Sequence, residues 1–232
     1  MKIAILISGR GSNMLRIADQ ADDNPNAVDI VRVIANKPCE GLTLAAQRGL
    51  KTSLVDRKSF GGRTAHERAI AAEIERSGAE WVVLAGYMAI LSPSFVDKFA
   101  NRIVNIHPSL LPALKGLDTH ARAISDARKR HGATVHLVNA ELDDGPIILQ
   151  AGLDIQKNES KAALAARVLR LEHALYPFVI TALSRGWLTI ENGVPVWRDG
   201  QRRLADSGQD IADVLLDAVQ WPEESQGDNL QD

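Results

Sequence analysis

Apolar residues in this chain fall in short runs separated by polar, glycine- and proline-bearing segments, and the spacing predicts alternating strands and helices. Residues 2 to 8 are apolar almost throughout, as in a strand covered on both faces of a sheet. Asp29 to Ala35, Thr52 to Val55, Trp81 to Leu84 and Ile103 to Asn105 read as further strands. Helices are expected from about Met14 to Gln20, Gly41 to Arg48, Arg63 to Ser77 and Ser94 to Phe99. In the third of these Ala69, Ile70, Ala72 and Ile74 lie on or near one face. The alternation implies an α/β fold, a doubly wound and mostly parallel sheet.

Later segments extend the pattern. A helix is expected from about His120 to Ala127, and Gly132 to Val138 alternate as a strand. Glu141 to Pro146 form a turn, and the chain returns as a strand over Ile147 to Ile155. Ser160 N-caps a long helix that Pro177 should kink. Leu188 to Ile190 and Val194 to Trp197 flank Asn192-Gly193, a hairpin signal. A last helix is expected over Asp210 to Val219, and from Trp221 onward an acidic, disordered tail. We divide the chain into a domain at 1–190 and a C-terminal extension at 191–232.

In such a sheet, ligands bind beyond the carboxyl ends of the strands, where the loops beginning at Ser8, Ala85 and His107 converge. Ser8-Gly9-Arg10-Gly11-Ser12-Asn13 joins a strand to a helix N-terminus, which suits an anion. It matches neither the dinucleotide G-x-G-x-x-G nor the P-loop, so a phosphate monoester fits better. A plain tight turn with Ser12 or Asn13 as N-cap fits equally well. Ala85 to Leu91 is apolar and suits either core packing or a flat hydrophobic ligand. Asn105 and His107, two apart on a strand, share a face. They could handle protons and bind an oxyanion, or be a satisfied structural pair. Asp143 and Asp144 could be turn formers, Arg63 a solvated arginine, and His136 an interior histidine.

Composition narrows the classes. The 232 residues are 45% hydrophobic and 24% charged, with a net charge of −2 and no basic stripe, so nucleic acid is not an expected partner. Arg128-Lys129-Arg130 suits a helix C-terminus. The one cysteine, Cys39, excludes an internal disulfide and fits a reducing cytoplasm. The opening apolar run is too short to span a membrane. His107, His120, His131, His136 and Asp143 could compose a metallohydrolase centre, but no pair has H-x-x-x-H spacing, so no metal is expected.

Several segments together resemble the phosphoribosylglycinamide formyltransferases, folate-dependent enzymes of purine biosynthesis. They are Ile7-Ser8-Gly9-Arg10-Gly11-Ser12-Asn13, Leu84-Ala85-Gly86-Tyr87-Met88, Asn105 through Pro112, and Thr134-Val135-His136-Leu137-Val138. Asp143-Asp144-Gly145-Pro146-Ile147-Ile148 and Leu171-Glu172-His173-Ala174 with Tyr176-Pro177 complete the set, in the family's order over about residues 1 to 190. The resemblance implies a Rossmann-like formyltransferase domain there and 10-formyltetrahydrofolate as cosubstrate, with no metal. It implies Asn105, His107 and Asp143 as the catalytic group. Gly11, Ser12 and Asn13 would bind the nucleotide's phosphate, and Glu172 its glycinamide end. Met88, Ala89, Ile90 and Leu91 would line a pterin pocket that Asn139, Ala140, Glu141, Leu142 and Asp143 complete, with Arg63 near the benzoyl-glutamate. Partners would be small molecules, with no membrane or nucleic acid, and the chain a cytoplasmic monomer or homodimer.

The chain departs from the family pattern in places. Ala89 stands where many relatives carry Arg, Leu114-Lys115-Gly116 where Tyr-Pro-Gly is usual, and Asp118 at a common His. Asp144 doubles the charge beside Asp143 and, by strand alternation, should face solvent. Formyltetrahydrofolate hydrolases and sugar-nucleotide N-formyltransferases share the Asn-His-Asp set and are alternatives. The hydrolase usually has a domain before the catalytic one, whereas here the first strand starts at Lys2. Methionyl-tRNA formyltransferases add a basic C-terminal domain, whereas this tail is acidic. A noncatalytic folate- or phosphate-binding protein is the alternative of another class.

Overall fold

The structure, a computed structural model, describes residues 1–207 and 209–222, so the expected tail from residue 223 lies outside the described residues. The first part of the chain gives β1 (Lys2–Ile7), α1 (Ser12–Asp23), β2 (Asp29–Ala35), α2 (Glu40–Gln47), β3 (Thr52–Leu54), α3 (Arg63–Ser77) and β4 (Trp81–Leu84). There follow α4 (Pro93–Lys98), β5 (Ile103–His107), α5 (Thr119–Ser125), β6 (Arg130–Leu137), β7 (Ile147–Asp154) and α6 (Lys161–Ser184). Last come β8 (Leu188–Glu191), which crosses the expected boundary at 190, and β9 (Val194–Trp197), α7 (Gly200–Ala205), α8 (Gln209–Leu215) and β10 (Val219–Gln220).

Eight strands form one sheet in the order β10-β7-β6-β5-β4-β1-β2-β3, and β8-β9 make a separate hairpin. From β3 to β5 every pairing is parallel. The direction reverses at β6, returns at β7 and reverses again at β10. The continuous apolar run of β1 has a simple cause, since both faces are covered. Ile3, Ile5 and Ile7 pack on the layer containing Met14, Ile17, Val168, Leu175 and Phe178 of α1 and α6. Ala4 and Leu6 point the other way, toward Ile70 and Ile74 of α3, Phe95 of α4 and Phe99 just after it.

Three local features differ from the sequence reading. β5 continues through His107, so Asn105 and His107 both lie within the sheet. α1 starts at Ser12 with Gly11 as its N-cap, in the left-handed region at φ 75, and no side chain caps it. A Cβ on Gly11 would lie 2.9 Å from the Gly41 Cα, so glycine is required by both conformation and space. At the C-terminus the expected helix ends at Leu215, and β10 adds antiparallel to β7, pairing Val219 with Ala151. The hairpin appears as expected, with Asn192 at φ 53 and Gly193 at φ 80.

Tyr176 of α6 ties the helix to the working edge of the sheet. Its ring is fully buried, and its hydroxyl lies 3.0 Å from the carbonyl oxygens of both Leu84, the last residue of β4, and Val104, in the first half of β5. Burial pushes its pKa well up, so it stays a donor. Tyr176→Phe removes that donor and keeps the ring. We expect a loss of about 1–2 kcal/mol in equilibrium urea unfolding. An unchanged midpoint would show that the hydroxyl contributes nothing.

Candidate active site

The antiparallel seam between β5 and β6 sets Asn105 opposite His136 and His107 opposite Thr134. Asn105 Nδ2 lies 3.1 Å from His136 Nε2. On the other side of that ring, His136 Nδ1 is 2.7 Å from the Leu137 carbonyl oxygen, which can only accept. Nδ1 therefore carries a proton. Burial holds the His136 pKa below the usual histidine range, so Nε2 is bare and accepts from Asn105. His107 is set by the same reasoning. Its Nε2 donates to the Leu114 carbonyl at 3.0 Å, which leaves Nδ1 as the nitrogen facing Asp143, 3.4 Å from Oδ2. Asp143 Oδ1 is 3.9 Å from His136 Nε2, so one carboxyl faces both imidazoles.

The loops around these groups are firmly held. Thr134 Oγ1 donates to the Ser109 carbonyl at 2.7 Å and accepts from the Leu111 amide and Gln150 Nε2. Those bonds anchor the turn that delivers Leu114 to His107. Asp143 sits at φ 49 and accepts from the Gly116 amide at 2.9 Å. Gly145 passes directly under β6. A Cβ there would lie 1.8 Å from the Leu137 carbonyl oxygen, so only glycine lets the loop approach. The Asp143 side chain is nearly buried; that of Asp144 is half exposed, as expected, though it lies in a loop where strand alternation does not apply, and it is paired with Lys115.

Beside the trio lies a cleft of about 510 Å³. Its wall includes Met88, Ala89, Ile90 and Leu91, then Asn105 and His107, and residues Asn139, Ala140, Glu141, Leu142 and Asp143. Met88, Ile90 and Leu117 are 67%, 63% and 76% exposed, an unusual display of large apolar side chains around one opening. Tyr87, in the same wall, has its pKa pushed up by burial to about 12 and remains a neutral hydroxyl.

A second cluster adjoins the cleft. Asn13 Nδ2 donates to Glu172 Oε2 at 2.7 Å, and Asn13 Oδ1 is buried with no partner. Burial raises the Glu172 pKa to about 7. Ser8 joins the two regions: its amide donates to the Gly86 carbonyl, and its hydroxyl accepts from the Met88 amide and donates to Asn36. The Gly11, Ser12 and Asn13 turn, at the N-terminal end of α1, thus meets Glu172 in the middle of α6. Arg63 is not in the cleft wall. Its Nε is paired with Glu67 at 2.9 Å, four residues along α3. His136, Leu117, His120 and Lys161 line the cleft without having been singled out for it by the sequence. For His136 the signals were its place in the family-like Thr134–Val138 segment and the strand face it shares with Thr134, whose meaning depended on the β5–β6 register.

Among the described residues, no three or more His, Cys, Asp or Glu side chains are grouped to hold a metal ion, and no helix is long and apolar enough to cross a membrane. Residues 1–180 match the family described as "Formyl transferase". The chain is 42% identical over 203 residues to phosphoribosylglycinamide formyltransferase of Escherichia coli, covering 87% of this chain and 95% of that one. The Haemophilus influenzae enzyme of the same name is 39% identical over 208 residues, covering 89% and 97%. Among solved structures, glycinamide ribonucleotide transformylase 1 from Symbiobacterium toebii superposes with a TM-score of 0.81 at 36% identity, covering 85% of this chain and 93% of that one. Phosphoribosylglycinamide formyltransferase from Coxiella burnetii gives 0.81 at 37% identity, covering 86% and 94%. The chain belongs to the formyl transferase family, among the phosphoribosylglycinamide formyltransferases.

Proposed function

We propose that the chain transfers a formyl group from 10-formyltetrahydrofolate to the amine of glycinamide ribonucleotide. The carrying observation is the convergence of Asn105, His107 and Asp143 on one apolar-walled cleft that adjoins the Gly11–Asn13 turn. The amine nitrogen attacks the formyl carbon and negative charge develops on its oxygen. Asn105 gives one Nδ2 hydrogen to His136 and retains the other for that oxygen. His107 supplies a second donor through Nδ1, the nitrogen that lies beside Asp143. Collapse of the adduct breaks the bond to N10 of the folate. The proton lost by the attacking nitrogen is balanced by one gained at N10, with the His107–Asp143 pair as carrier.

The Gly11, Ser12 and Asn13 turn would take the phosphate, and the buried, unpartnered Asn13 Oδ1 is an acceptor suited to a donor on the nucleotide. Glu172 would hold the substrate beside it. Met88 to Leu91 and Asn139 to Asp143 would enclose the pterin. Arg63 could still meet the folate's carboxylate by turning away from Glu67. We assign the reaction to the cytoplasm, with small molecules as partners. Formyl transfer should be assayed from 10-formyltetrahydrofolate with glycinamide ribonucleotide, alongside a control with water alone. Product formation only with the nucleotide supports the proposal; formate release without it would assign a hydrolase.

His107→Ala and Asp143→Ala should each lower kcat by about 100-fold or more. Near-normal turnover of either variant would remove that residue from the mechanism. Gly145→Ala should keep the fold but push the 139–146 loop from β6, with a loss in kcat approaching that of Asp143→Ala. Circular dichroism and single-turnover rates would check the two halves of that statement.

Glu172 gives a pH prediction. A carboxyl with its folded pKa raised to about 7 holds its proton when the unfolded chain has lost it, so stability falls as pH rises from about 4.5 to 7. Glu172→Gln should lack that decline and gain on the wild type at pH 8 by up to roughly 3 kcal/mol. Urea unfolding at pH 5 and pH 8 would read it. Parallel pH profiles for the two proteins would contradict it.

A further inference from the structure

Lys115 and Asp144 sit at the outer edges of two loops and belong to none of the groups assigned to substrate. Lys115 Nζ reaches Asp144 Oδ1. One residue along each loop, the Gly116 amide donates to Asp143 Oδ2 at 2.9 Å. Residues 113–118 and 139–146 are therefore bonded twice, by an ion pair outside and an amide–carboxylate bond inside. The 113–118 loop is itself anchored. Arg122 Nη1 donates to the Lys115 carbonyl at 2.7 Å, and Leu114 O accepts from His107 Nε2. One loop thus touches both halves of the His107–Asp143 pair. Asp143 stands at φ 49, a left-handed conformation that aspartate tolerates better than most L residues, and the Gly116 amide holds its carboxylate there.

We infer that the Lys115–Asp144 ion pair is a latch that positions the Asp143 carboxylate, keeping the 113–118 loop close enough for the Gly116 amide to aim it at His107. This rests on the role given to Asp143 above. The two residues act through Asp143 and not on substrate, so they are positioning residues. Their side chains are 35% and 50% exposed, which makes the pair weak and screened by salt. Its removal is therefore felt as a few-fold change, and the change fades as ionic strength rises. Loss of a group at the reacting atoms would do neither.

The variants are Lys115→Met, Asp144→Asn and the charge swap Lys115→Asp with Asp144→Lys. Lys98→Met, which removes the exposed pair to Glu75 on α3, is the control. Amide hydrogen exchange at Gly116 reads the latch without reference to activity. It should speed up about three- to five-fold in each single variant at low salt, recover in the swap, and be unaffected in the control. In high salt the wild type should approach the single variants. In formyl-transfer assays kcat should fall by a similar factor with KM for the nucleotide unchanged. Unaltered Gly116 exchange in Lys115→Met, or a swap no better than the singles, overturns the latch even if the wild type transfers formyl normally. Exchange that follows the expectation in a wild type without formyl transfer would leave the latch standing and overturn the function instead.

Discussion

Asn105 faces His136 and His107 faces Thr134 across the seam where the sheet turns from parallel to antiparallel, and that register fixes what every nearby group can do. A slip of one residue would send the Asn105 amide and the His107 imidazole to the opposite face of the sheet. Thr134, held in register, also bonds the Ser109 carbonyl and the Leu111 amide, so the turn after β5 is positioned from the neighbouring strand. That turn returns Leu114 to His107. The chemistry of the cleft is therefore a consequence of one strand pairing.

Two histidines a few residues apart in space take opposite parts because of which nitrogen meets a carbonyl. In His136 it is Nδ1, in His107 Nε2. A buried carbonyl left unpaired costs about 1–3 kcal/mol, enough to settle each tautomer. His136 becomes a neutral acceptor that orients an amide. His107 presents Nδ1 to the Asp143 carboxylate. The 139–146 loop completes the arrangement only because Gly145 can lie against the Leu137 carbonyl.

Much of the fold was legible in the sequence. The sequence marked β2, β4 and α3 to the residue, β4 as a short continuous apolar run and α3 by the helical spacing of Ile70 and Ile74, both buried. Elements decided by distant partners were less visible. β10 is two residues long and exists through its pairing with β7, so Asp210 to Val219 read as helix throughout. For the site, the family-like segments led to Asn105, His107 and Asp143, and the geometry brings them together. His136 was read as an interior histidine, since its role depends on register. Arg63, expected near a ligand, pairs with Glu67 four residues on, a partner on its own helix that the spacing already offered.

The central claim is that a one-carbon donor sits between Asn105 and His107, with Asp143 beside the same imidazole nitrogen, Nδ1. A crystal structure with a stable formyl-folate analogue tests it most directly. The account predicts the carbonyl oxygen of the analogue within about 3.5 Å of both Asn105 Nδ2 and His107 Nδ1. An analogue seated in the cleft with that oxygen turned to solvent, away from both nitrogens, would contradict it.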